Sequence, residues 1–430
     1  MRNAKILAAG LLALALLTGC GAKQAAEPVS ITFMHGWGGS GRDHTAMRQI
    51  YADFEKANPD ISVVYDTSPD ITVVMQKAND MLAADKAPDF ISTNGSTQYV
   101  SNAIRKNLAL DLTPELKADP AFAADVADST LEALRQPDGA VYTLPDAVEY
   151  IGYWYNEALF REAGVTDTGT PEGTVEPPAT WEEFWRACDK LAAAEKKTGA
   201  APMRMELGQL SVLLGARLAA EDGGARAFMQ GRGGGCPEQT VQDAVSDLRR
   251  AVAYNPDGAP TALDARQAFF DGRSAIYLNG VWANTEVTET ALGKSIRYAA
   301  FPGADGQSVS FLNPTTGYVV GSAGSEEQRA ACLRFLKYML SENVQKRLVL
   351  ETGQAPSSPK LSIDWIESEV PALGGAIRVC TQADVQIRSV YSVLSAKDGA
   401  ALDDCLASLL QGNDETQPLI RILAENPSAS

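Results

Sequence analysis

The sequence is poor in histidine and in closely spaced cysteines. Its 430 residues contain two histidines and six cysteines; no cysteine pair forms a C-x-x-C motif. No histidine lies at metal-ligand spacing from a cysteine either, so we expect no metal site and no cofactor. The two histidines, His35 and His44, form no H-E-x-x-H motif and no Ser/His/Asp spacing. A histidine-based hydrolase is therefore disfavoured.

Basic residues are also scarce relative to acidic ones. The chain has 37 Lys and Arg against 54 Asp and Glu, a formal net charge of -17. Nucleic-acid binding needs clustered basic side chains against phosphate, so we expect no nucleic-acid partner. Anionic lipid headgroups would repel the same surface. The apolar content of 45% is ordinary for a globular protein and argues against extensive disorder.

Apolar runs of the roughly 20 residues that cross a membrane are missing as well. A shorter run, residues 6–17, follows Arg2 and Lys5 and ends in Leu-Thr-Gly-Cys at 17–20. A charged start and a short apolar stretch are typical of a secretory signal. The last four residues resemble the bacterial lipobox. That resemblance implies cleavage before Cys20, acylation of its thiol and an extracytoplasmic protein held by lipid. A plain signal peptide with an incidental cysteine is the alternative.

Loss of residues 1–20 would remove two basic residues and leave 35 against 54 acidic ones, a net charge of -19. Residues 21–28 are small and polar and are interpreted as a tether. The remaining chain of roughly 410 residues is too long for one core and should form two domains or more. Five cysteines remain, so at most two disulfides are possible: buried free thiols are expected at Cys188 and Cys332, pairing of Cys380 with Cys405 is left open, and Cys236 is unassigned.

Strand and helix patterns alternate after the tether. They predict strands at 29–34, 61–65 and 89–92 with helices at 45–57 and 73–84 between them. This order is typical of an α/β domain with a largely parallel sheet. Capping boxes at Thr180/Glu183 and Ser325/Gln328 predict the start of two more helices, the first running to Ala194. Loops are expected at 166–179 and 231–235, and mostly helix after Trp365.

Residues 36–41 read Gly-Trp-Gly-Gly-Ser-Gly and match the G-x-G-x-x-G pattern between a strand and a helix. That setting is typical of dinucleotide binding, and Asp66 stands where a ribose ligand would. Trp37, however, would crowd the close approach of a pyrophosphate. The helix also starts late, near Asp43 or Thr45, so its amides would miss the phosphates, and the expected compartment holds little nicotinamide cofactor. We interpret the segment as a ligand-facing loop.

Four segments carry a family resemblance. They are 144–149 leading into 153–157, 178–183, 270–275 continuing to 278–282, and 335–340 with Asn343, Gln345, Gly353 and Pro356. In order and spacing they resemble the extracellular solute-binding proteins of bacterial ABC importers, in the carbohydrate-binding family that includes maltose-binding protein (family 1). Together they cover most of the mature chain.

The resemblance implies an α/β, two-lobe periplasmic-binding-protein-like fold with a hinge and an interlobe ligand cleft. Lobe 1 would comprise 29–144 plus 313–352, and lobe 2 would comprise 145–312 plus 353–430. The chain would cross between lobes near 142–146, 312–316 and 352–356, each of which contains Pro or Gly and suits a hinge. Closure would bury the ligand and shift the population towards the closed form.

A sugar site needs carboxylates, amides and Arg beside Trp and Tyr, with few aliphatic side chains. Trp37, Asn94 and Ser96 are candidate ligand contacts because each follows a predicted strand. Packing within its own loop is the alternative for Trp37, and local turn hydrogen bonding is the alternative for Asn94 and Ser96. The family match implies Glu149 as a carboxylate for sugar hydroxyls and Trp282 as a stacking ring, with a salt bridge and the lobe core as the alternatives. The remaining candidates are one tyrosine of the strand at 150–155, Thr315 at the second crossing, and Arg388. For the tyrosine we select Tyr153.

Three functions are compatible with these features. The first is a non-catalytic, lipid-anchored and monomeric binding protein that delivers carbohydrate to an ABC permease. The second is a tethered extracytoplasmic enzyme, either a glycosidase or a nucleotide-dependent oxidoreductase. The third is transport of an anion, a polyamine or a peptide. An anion would require several Arg or Lys side chains in the cleft, and the sequence does not identify them. The aromatic and mixed polar candidates favour the first.

Overall fold

The computed structural model describes residues 27–93, 95–165, 175–221, 223–255, 258–313 and 317–425. The segment expected to be a signal peptide, residues 1–20, lies outside these ranges. The strands within them are β1 (Val29–His35), β2 (Ile61–Thr67), β3 (Phe90–Ser92), β4 (Glu149–Ile151), β5 (Tyr153–Asn156), β6 (Ala201–Met203), β7 (Ser274–Tyr277), β8 (Ile296–Ala299), β9 (Phe301–Pro302), β10 (Ser308–Asn313), β11 (Tyr318–Val320) and β12 (Val385–Ile387).

Helices connect and cover these strands. They are α1 (Arg42–Ala57), α2 (Ile71–Ala83), α3 (Thr97–Arg105), α4 (Thr113–Ala118), α5 (Pro120–Ala123), α6 (Asp128–Leu134), α7 (Glu157–Glu162), α8 (Trp181–Thr198), α9 (Leu207–Leu218), α10 (Gly224–Met229), α11 (Glu238–Val252), α12 (Ala262–Phe270), α13 (Asn284–Glu289), α14 (Glu326–Leu340), α15 (Glu342–Arg347), α16 (Ile363–Glu369), α17 (Pro371–Thr381), α18 (Val390–Val393), α19 (Ala396–Leu410) and α20 (Thr416–Leu423). A 3-10 turn at Val281–Ala283 precedes α13, and a π-helical turn at Leu348–Thr352 follows α15.

The first sheet has the strand order β11-β3-β1-β2. β1 pairs in parallel with β2 and β3, and β11 pairs antiparallel with β3, which confirms the predicted, largely parallel α/β arrangement. Both faces of the sheet are covered. Phe33 joins a cluster with Phe54 and Phe335, whose rings stack at 4.3 Å, while the next residue, Met34, joins a second cluster on the opposite face. We call this sheet and its helices lobe 1.

Two further sheets have the orders β12-β10-β4 and β6-β7-β5-β8, and both are mixed. We call them, with their helices, lobe 2. Successive residues of β5 point to opposite faces: Tyr153 enters the larger hydrophobic cluster, and Trp154 enters a smaller one with Phe269 and Tyr277. The two lobes thus have separate cores.

Element boundaries differ from the expectations in a few places. α1 begins at Arg42, with Gly41 as its N-cap, three residues before the expected start at 45. The sequence pattern missed this first turn because its residues are polar and show no apolar periodicity. α8 continues four residues past Ala194 to end at Thr198 before the left-handed Gly199. The described segment after Trp365 is mostly helical, as expected, and contains the three-residue strand β12. The Ser325/Gln328 capping box is confirmed.

The segments at 142–148 and 352–357, where the first and third crossings are expected, run side by side. Ala147 bridges Pro356, the Val148 N–H donates to the Ala355 carbonyl at 3.0 Å, and the Ser357 N–H donates to the Asp146 carbonyl at 3.2 Å. Residues 314–316, near the expected second crossing, lie outside the described ranges, and Gly317 and Tyr318 follow them. The two described crossings therefore form one hydrogen-bonded pair of segments.

A buried polar cluster holds this pair in place. Gln345, which is fully buried, donates to the Asp146 carbonyl at 2.8 Å and accepts from the Ser357 and Ser358 N–H groups at 2.9 and 3.0 Å. The Tyr318 hydroxyl donates to the Asp146 carboxylate at 2.6 Å. Burial raises the pKa of Asp146 above its usual value. Most polar groups at the crossings are thus satisfied inside the protein.

The five cysteines of the described chain are free and buried. Cys188 and Cys332 are the buried thiols that were expected. The pairing left open for Cys380 and Cys405 does not form, because Cys380 on α17 packs beneath Tyr298 and Cys405 on α19 belongs to the main cluster of lobe 2. Within the described ranges, no helix has the length and apolarity to cross a membrane, and no group of three or more acidic, His or Cys side chains is arranged to hold a metal ion.

Candidate functional site

A cavity of about 460 Å³ opens between the lobes, next to the paired crossings. This volume is ordinary for a small-molecule site. Lobe 1 contributes its glycine-rich loop and the first turn of α1, lobe 2 contributes α12, β7 and the turn before α13, and the crossings close one end. The lining residues are Trp37, Asp43, Ala147, Val148, Glu149, Ala262, Leu263, Arg266, Tyr277, Asn279, Val281, Trp282, Ala283, Thr285, Glu286, Thr352, Gln354 and Ala355.

The glycine-rich loop presents Trp37 and is held from behind. Arg48 donates to the Trp37 carbonyl at 2.5 Å and to the Gly39 carbonyl at 2.7 Å. The two histidines accept the loop's N–H groups, His35 from Trp37 at 3.1 Å and His44 from Gly39 at 3.0 Å. These amides are consumed inside the protein and do not point to a phosphate. The geometry agrees with a ligand-facing loop and disagrees with a dinucleotide cradle.

Trp282 is the tryptophan that lobe 2 contributes to the cavity, and it is 40% exposed. The backbone below it is fixed by buried side chains: the Trp154 indole N–H donates to the Gly280 carbonyl at 2.9 Å, and the Tyr298 hydroxyl donates to the Asn279 carbonyl at 3.1 Å. Because the ring is exposed and its backbone is held by hydrogen bonds, it can pack against the apolar face of a ligand. The lobes therefore present one tryptophan each to the same cavity.

The Trp282 turn is also tied to the third crossing. The amide of the buried Asn284 donates to the Gly353 carbonyl at 2.7 Å and to the Val281 carbonyl at 2.8 Å. Gly353 is left-handed at φ 70°, and a β-carbon there would approach Thr285 to 2.5 Å. The turn that carries Trp282 is therefore hydrogen-bonded to the Gly353 backbone through Asn284.

Polar groups surround the two rings. Asn279 donates to the Tyr277 hydroxyl at 2.8 Å, and burial raises the pKa of Tyr277 to about 12, which keeps the phenol neutral. Arg266 of α12 forms an ion pair with Glu286 of α13. Glu149 lies at the start of β4, opposite Asn313 in the neighbouring strand. Amide, phenol, guanidinium and carboxylate groups are thus all present in the walls of the cavity.

Three of the residues selected from the sequence meet in this cavity: Trp37, Glu149 and Trp282. Asn94 and Thr315 lie outside the described residues. The structure does not bring Ser96 to the cavity; its hydroxyl caps α3 by accepting the Tyr99 N–H at 3.4 Å, which is the local bonding considered as its alternative.

Tyr153 and Arg388 are not brought to the cavity either. Tyr153 is fully buried in the core of lobe 2, against Phe184 and Phe301, because the alternation of β5 turns it away from the cleft. Its selection from the sequence is corrected accordingly. Arg388 follows β12 and packs against Gly231, beyond the cavity wall.

The sequence missed several lining residues. Asn279 and Gln354 lie in segments that carried the family resemblance, and their position beside Trp282 and the third crossing was the available signal. Arg266 and Glu286 are surface helix residues with no local signal. The cavity also contains more aliphatic side chains than expected: Ala147, Val148, Ala262, Leu263, Val281, Ala283 and Ala355.

Two α/β lobes, joined by paired crossings around a cavity with aromatic and polar walls, define a two-lobe binding protein. The sequence profile of the family described as bacterial extracellular solute-binding protein matches residues 49–371. The chain belongs to this family. No curated protein sequence matches the chain.

Solved structures share the fold over nearly the whole chain. A Streptococcus pneumoniae solute-binding protein in complex with the blood group A-trisaccharide has a TM-score of 0.75 and 23% identity, covering 91% of this chain and 98% of its own. A chitin oligosaccharide binding protein has a TM-score of 0.76 and 19% identity, covering 93% and 98%. A maltose-bound T. maritima protein has 0.71 and 18%, covering 92% and 98%. These likenesses confirm the two-lobe fold.

Proposed function

We propose that this chain captures a carbohydrate outside the cell and delivers it to the permease of an ABC importer. The observation that carries the proposal is the cavity in which Trp37 and Trp282, from opposite lobes, are surrounded by hydrogen-bonding side chains. Sugars have C–H faces that pack on aromatic rings and hydroxyls that pair with carboxylates, amides and guanidinium groups. The aromatic and polar side chains of this cavity match these two features of a sugar.

The similar structures support the class of ligand. By their descriptions, the S. pneumoniae protein holds a trisaccharide, the T. maritima protein holds maltose, and a third binds chitin oligosaccharides. Their sugars differ while their fold is shared. The likeness therefore supports carbohydrate as the class and leaves the particular sugar to the side chains of this cavity.

Ligand capture would use movement of the lobes. We assign 29–144 plus 313–352 to lobe 1 and 145–312 plus 353–430 to lobe 2, with crossings near 142–146, 312–316 and 352–356. A ligand that contacts Trp37 and Trp282 together binds the closed arrangement better than the open one, and this difference drives closure. The tie between Asn284 and Gly353 couples the Trp282 turn to the third crossing.

Lipid anchoring at Cys20 would place the protein on the outer face of the cell membrane. The motif at 17–20 supports it, together with the extracellular character of the family. We expect a monomer that meets its permease by diffusion along the surface. A Cys20→Ala variant should move from the membrane fraction to the soluble fraction, and mass spectrometry of the parent should find acyl chains on the first mature residue. Membrane association that survives the substitution would contradict the anchor.

We propose binding without catalysis. The family consists of solute-binding proteins, and the Trp37 and Gly39 N–H groups of the glycine-rich loop are already paired with His35 and His44. A glycosidase remains the alternative to test. Incubation with glycosides should give no turnover; cleavage that disappears in Glu149→Gln would replace the binding proposal with an enzymatic one.

A thermal-shift screen tests the main proposal. Mono- and oligosaccharides are compared with NAD and polyamines, because a ligand of the folded state alone raises the melting temperature. A shift with one sugar class that is lost in Trp282→Ala, and retained in Leu350→Ala, supports the proposal; Leu350 is similarly exposed at 44% but lies outside the cavity. A shift with NAD and with no sugar would overturn it.

A further inference from the structure

The cavity has an apolar corner beside the Trp282 ring. Among the described residues, five large apolar side chains are exposed, and two of them, Leu263 at 68% and Trp282 at 40%, line this cavity. Trp282 can stack on the C–H face of a sugar. The aliphatic side chain of Leu263 forms no hydrogen bond with sugar hydroxyls. Covering Leu263 is favourable only with apolar surface, at roughly 25 cal/mol per Å². The adjacent Ala262 extends the same corner.

A charged pair stands beside this corner. Arg266 follows Leu263 by three residues, so both lie on one face of α12 and both line the cavity. Its guanidinium pairs with Glu286, which also accepts from the Thr285 hydroxyl at 3.0 Å. Arginine has five N–H donors and a carboxylate has several acceptor positions, so the pair retains capacity for a ligand. A donor and an acceptor are thus fixed next to an aliphatic surface.

The charge of the cavity restricts the ligand further. Asp43, Glu149 and Glu286 contribute three carboxylates, against one guanidinium from Arg266. A carboxylated or sulfated sugar would meet net repulsion in this confined space. The substituent that fills the apolar corner should therefore carry no negative charge, and a positively charged group would not pack on an aliphatic surface.

We infer that the ligand is a glycan bearing an acetamido group, whose methyl packs on Leu263 and whose amide lies beside Arg266 and Glu286. The inference rests on the proposed carbohydrate binding and names the ligand within that class. An acetamido group is uncharged and has a methyl group, an N–H donor and a carbonyl acceptor. A deoxy sugar supplies the methyl group without the amide, and an amino sugar supplies a charge without the methyl group.

Calorimetric titration of the purified chain with matched sugars tests this. Diacetylchitobiose against cellobiose, and N-acetyllactosamine against lactose, exchange acetamido groups for hydroxyls. We expect about tenfold tighter binding of the acetamido member. Leu263→Ser should abolish most of that preference, so that the acetamido and hydroxyl members bind with similar affinity. Because Leu263 is exposed, the variant should fold; its melting temperature checks this. Leu350→Ser, at an exposed leucine outside the cavity, should retain the preference.

The outcomes separate the two proposals. Equal or tighter binding of the hydroxyl members overturns the acetamido inference and leaves carbohydrate binding standing, as does a preference that survives Leu263→Ser. Equal gains from a deoxy sugar, such as a fucosylated disaccharide, overturn the role of the amide. No binding of any carbohydrate overturns both proposals.

Discussion

The ring of Trp282 lies directly over Gly280. A β-carbon at residue 280 would stand 1.9 Å from the ring atom Cζ3 and 2.2 Å from Cη2. The backbone at Gly280 is extended, with φ -77° and ψ 175°, and any residue could adopt it. Glycine is required here by the neighbouring ring. The Trp282 ring can take this position because residue 280 has no side chain.

Gly280→Ala should displace the Trp282 ring and weaken sugar binding. An aromatic contact contributes about 0.5–1.5 kcal/mol beyond its buried area, so we expect about a tenfold loss of affinity by calorimetry. The matched control is Gly375→Ala on α17, where an added β-carbon meets no atom within 4 Å. Unchanged affinity in Gly280→Ala would show that the ring position does not matter to the ligand.

Replacement of Gln345 should destabilise the whole protein. Gln345→Leu leaves the Asp146 and Met339 carbonyls and the Ser357 and Ser358 N–H groups without their side-chain partner. Each buried unsatisfied group costs about 1–3 kcal/mol, so the free energy of unfolding should fall by at least about 3 kcal/mol in denaturant titrations. Gln382→Leu, at an exposed glutamine, should change it by less than about 0.5 kcal/mol. Similar effects from both variants would contradict the structural role of Gln345.

The pKa of His35 predicts a pH-dependent stability. Burial lowers it from 6.5 to about 4, assisted by Arg48 and His44. Between these values the unfolded state binds a proton that the folded state does not. The free energy of unfolding is therefore unaffected above pH 6.5 and falls towards pH 4, by up to about 1.4 kcal/mol per pH unit.

His35→Asn tests this difference, because it removes the titrating ring and retains an acceptor near the Trp37 N–H. Denaturant titrations across this pH window should show a steeper loss of stability in the parent than in the variant. Parallel curves would mean that the pKa of His35 does not differ between the folded and unfolded states.

The five described thiols should be inert in the native protein. Burial raises the pKa of Cys405 to about 11 and the pKa values of Cys236 and Cys380 to about 12, so little thiolate exists near neutral pH. In Cys20→Ala, a thiol reagent should label none of them until denaturant is added, and then label all five. Rapid labelling of one cysteine before unfolding would reveal local opening at its site.

Much of lobe 1 could be predicted from local patterns. The first three strands and the helices between them follow the spacing of buried residues such as Phe33, Phe54 and Val74, and the capping box at Ser325 marked the start of α14. Short strands of lobe 2 were less accessible. β6, β7 and β12 have three or four residues each, too few for a period to appear.

The site could be predicted only in part. Trp37, Glu149 and Trp282 were found because a loop position or a family resemblance singled them out. The selection of Tyr153 was wrong. Alternation along a strand predicts that successive side chains point to opposite faces, but it does not predict which of them faces the core. Arg266 and Glu286 are far apart in sequence and meet only where α12 packs beside α13.

The sequence by itself determined the class of this protein: an acidic, histidine-poor chain with a lipobox-like start, an alternating α/β order and the segments of a solute-binding family. These properties are local or compositional. The tertiary structure decided the cavity. Which side chains line it depends on how two lobes, built from discontinuous stretches, meet across paired crossings. Leu263, Arg266 and Trp282 become neighbours of Trp37 only through that packing, because non-local contacts leave no periodic trace in a single chain.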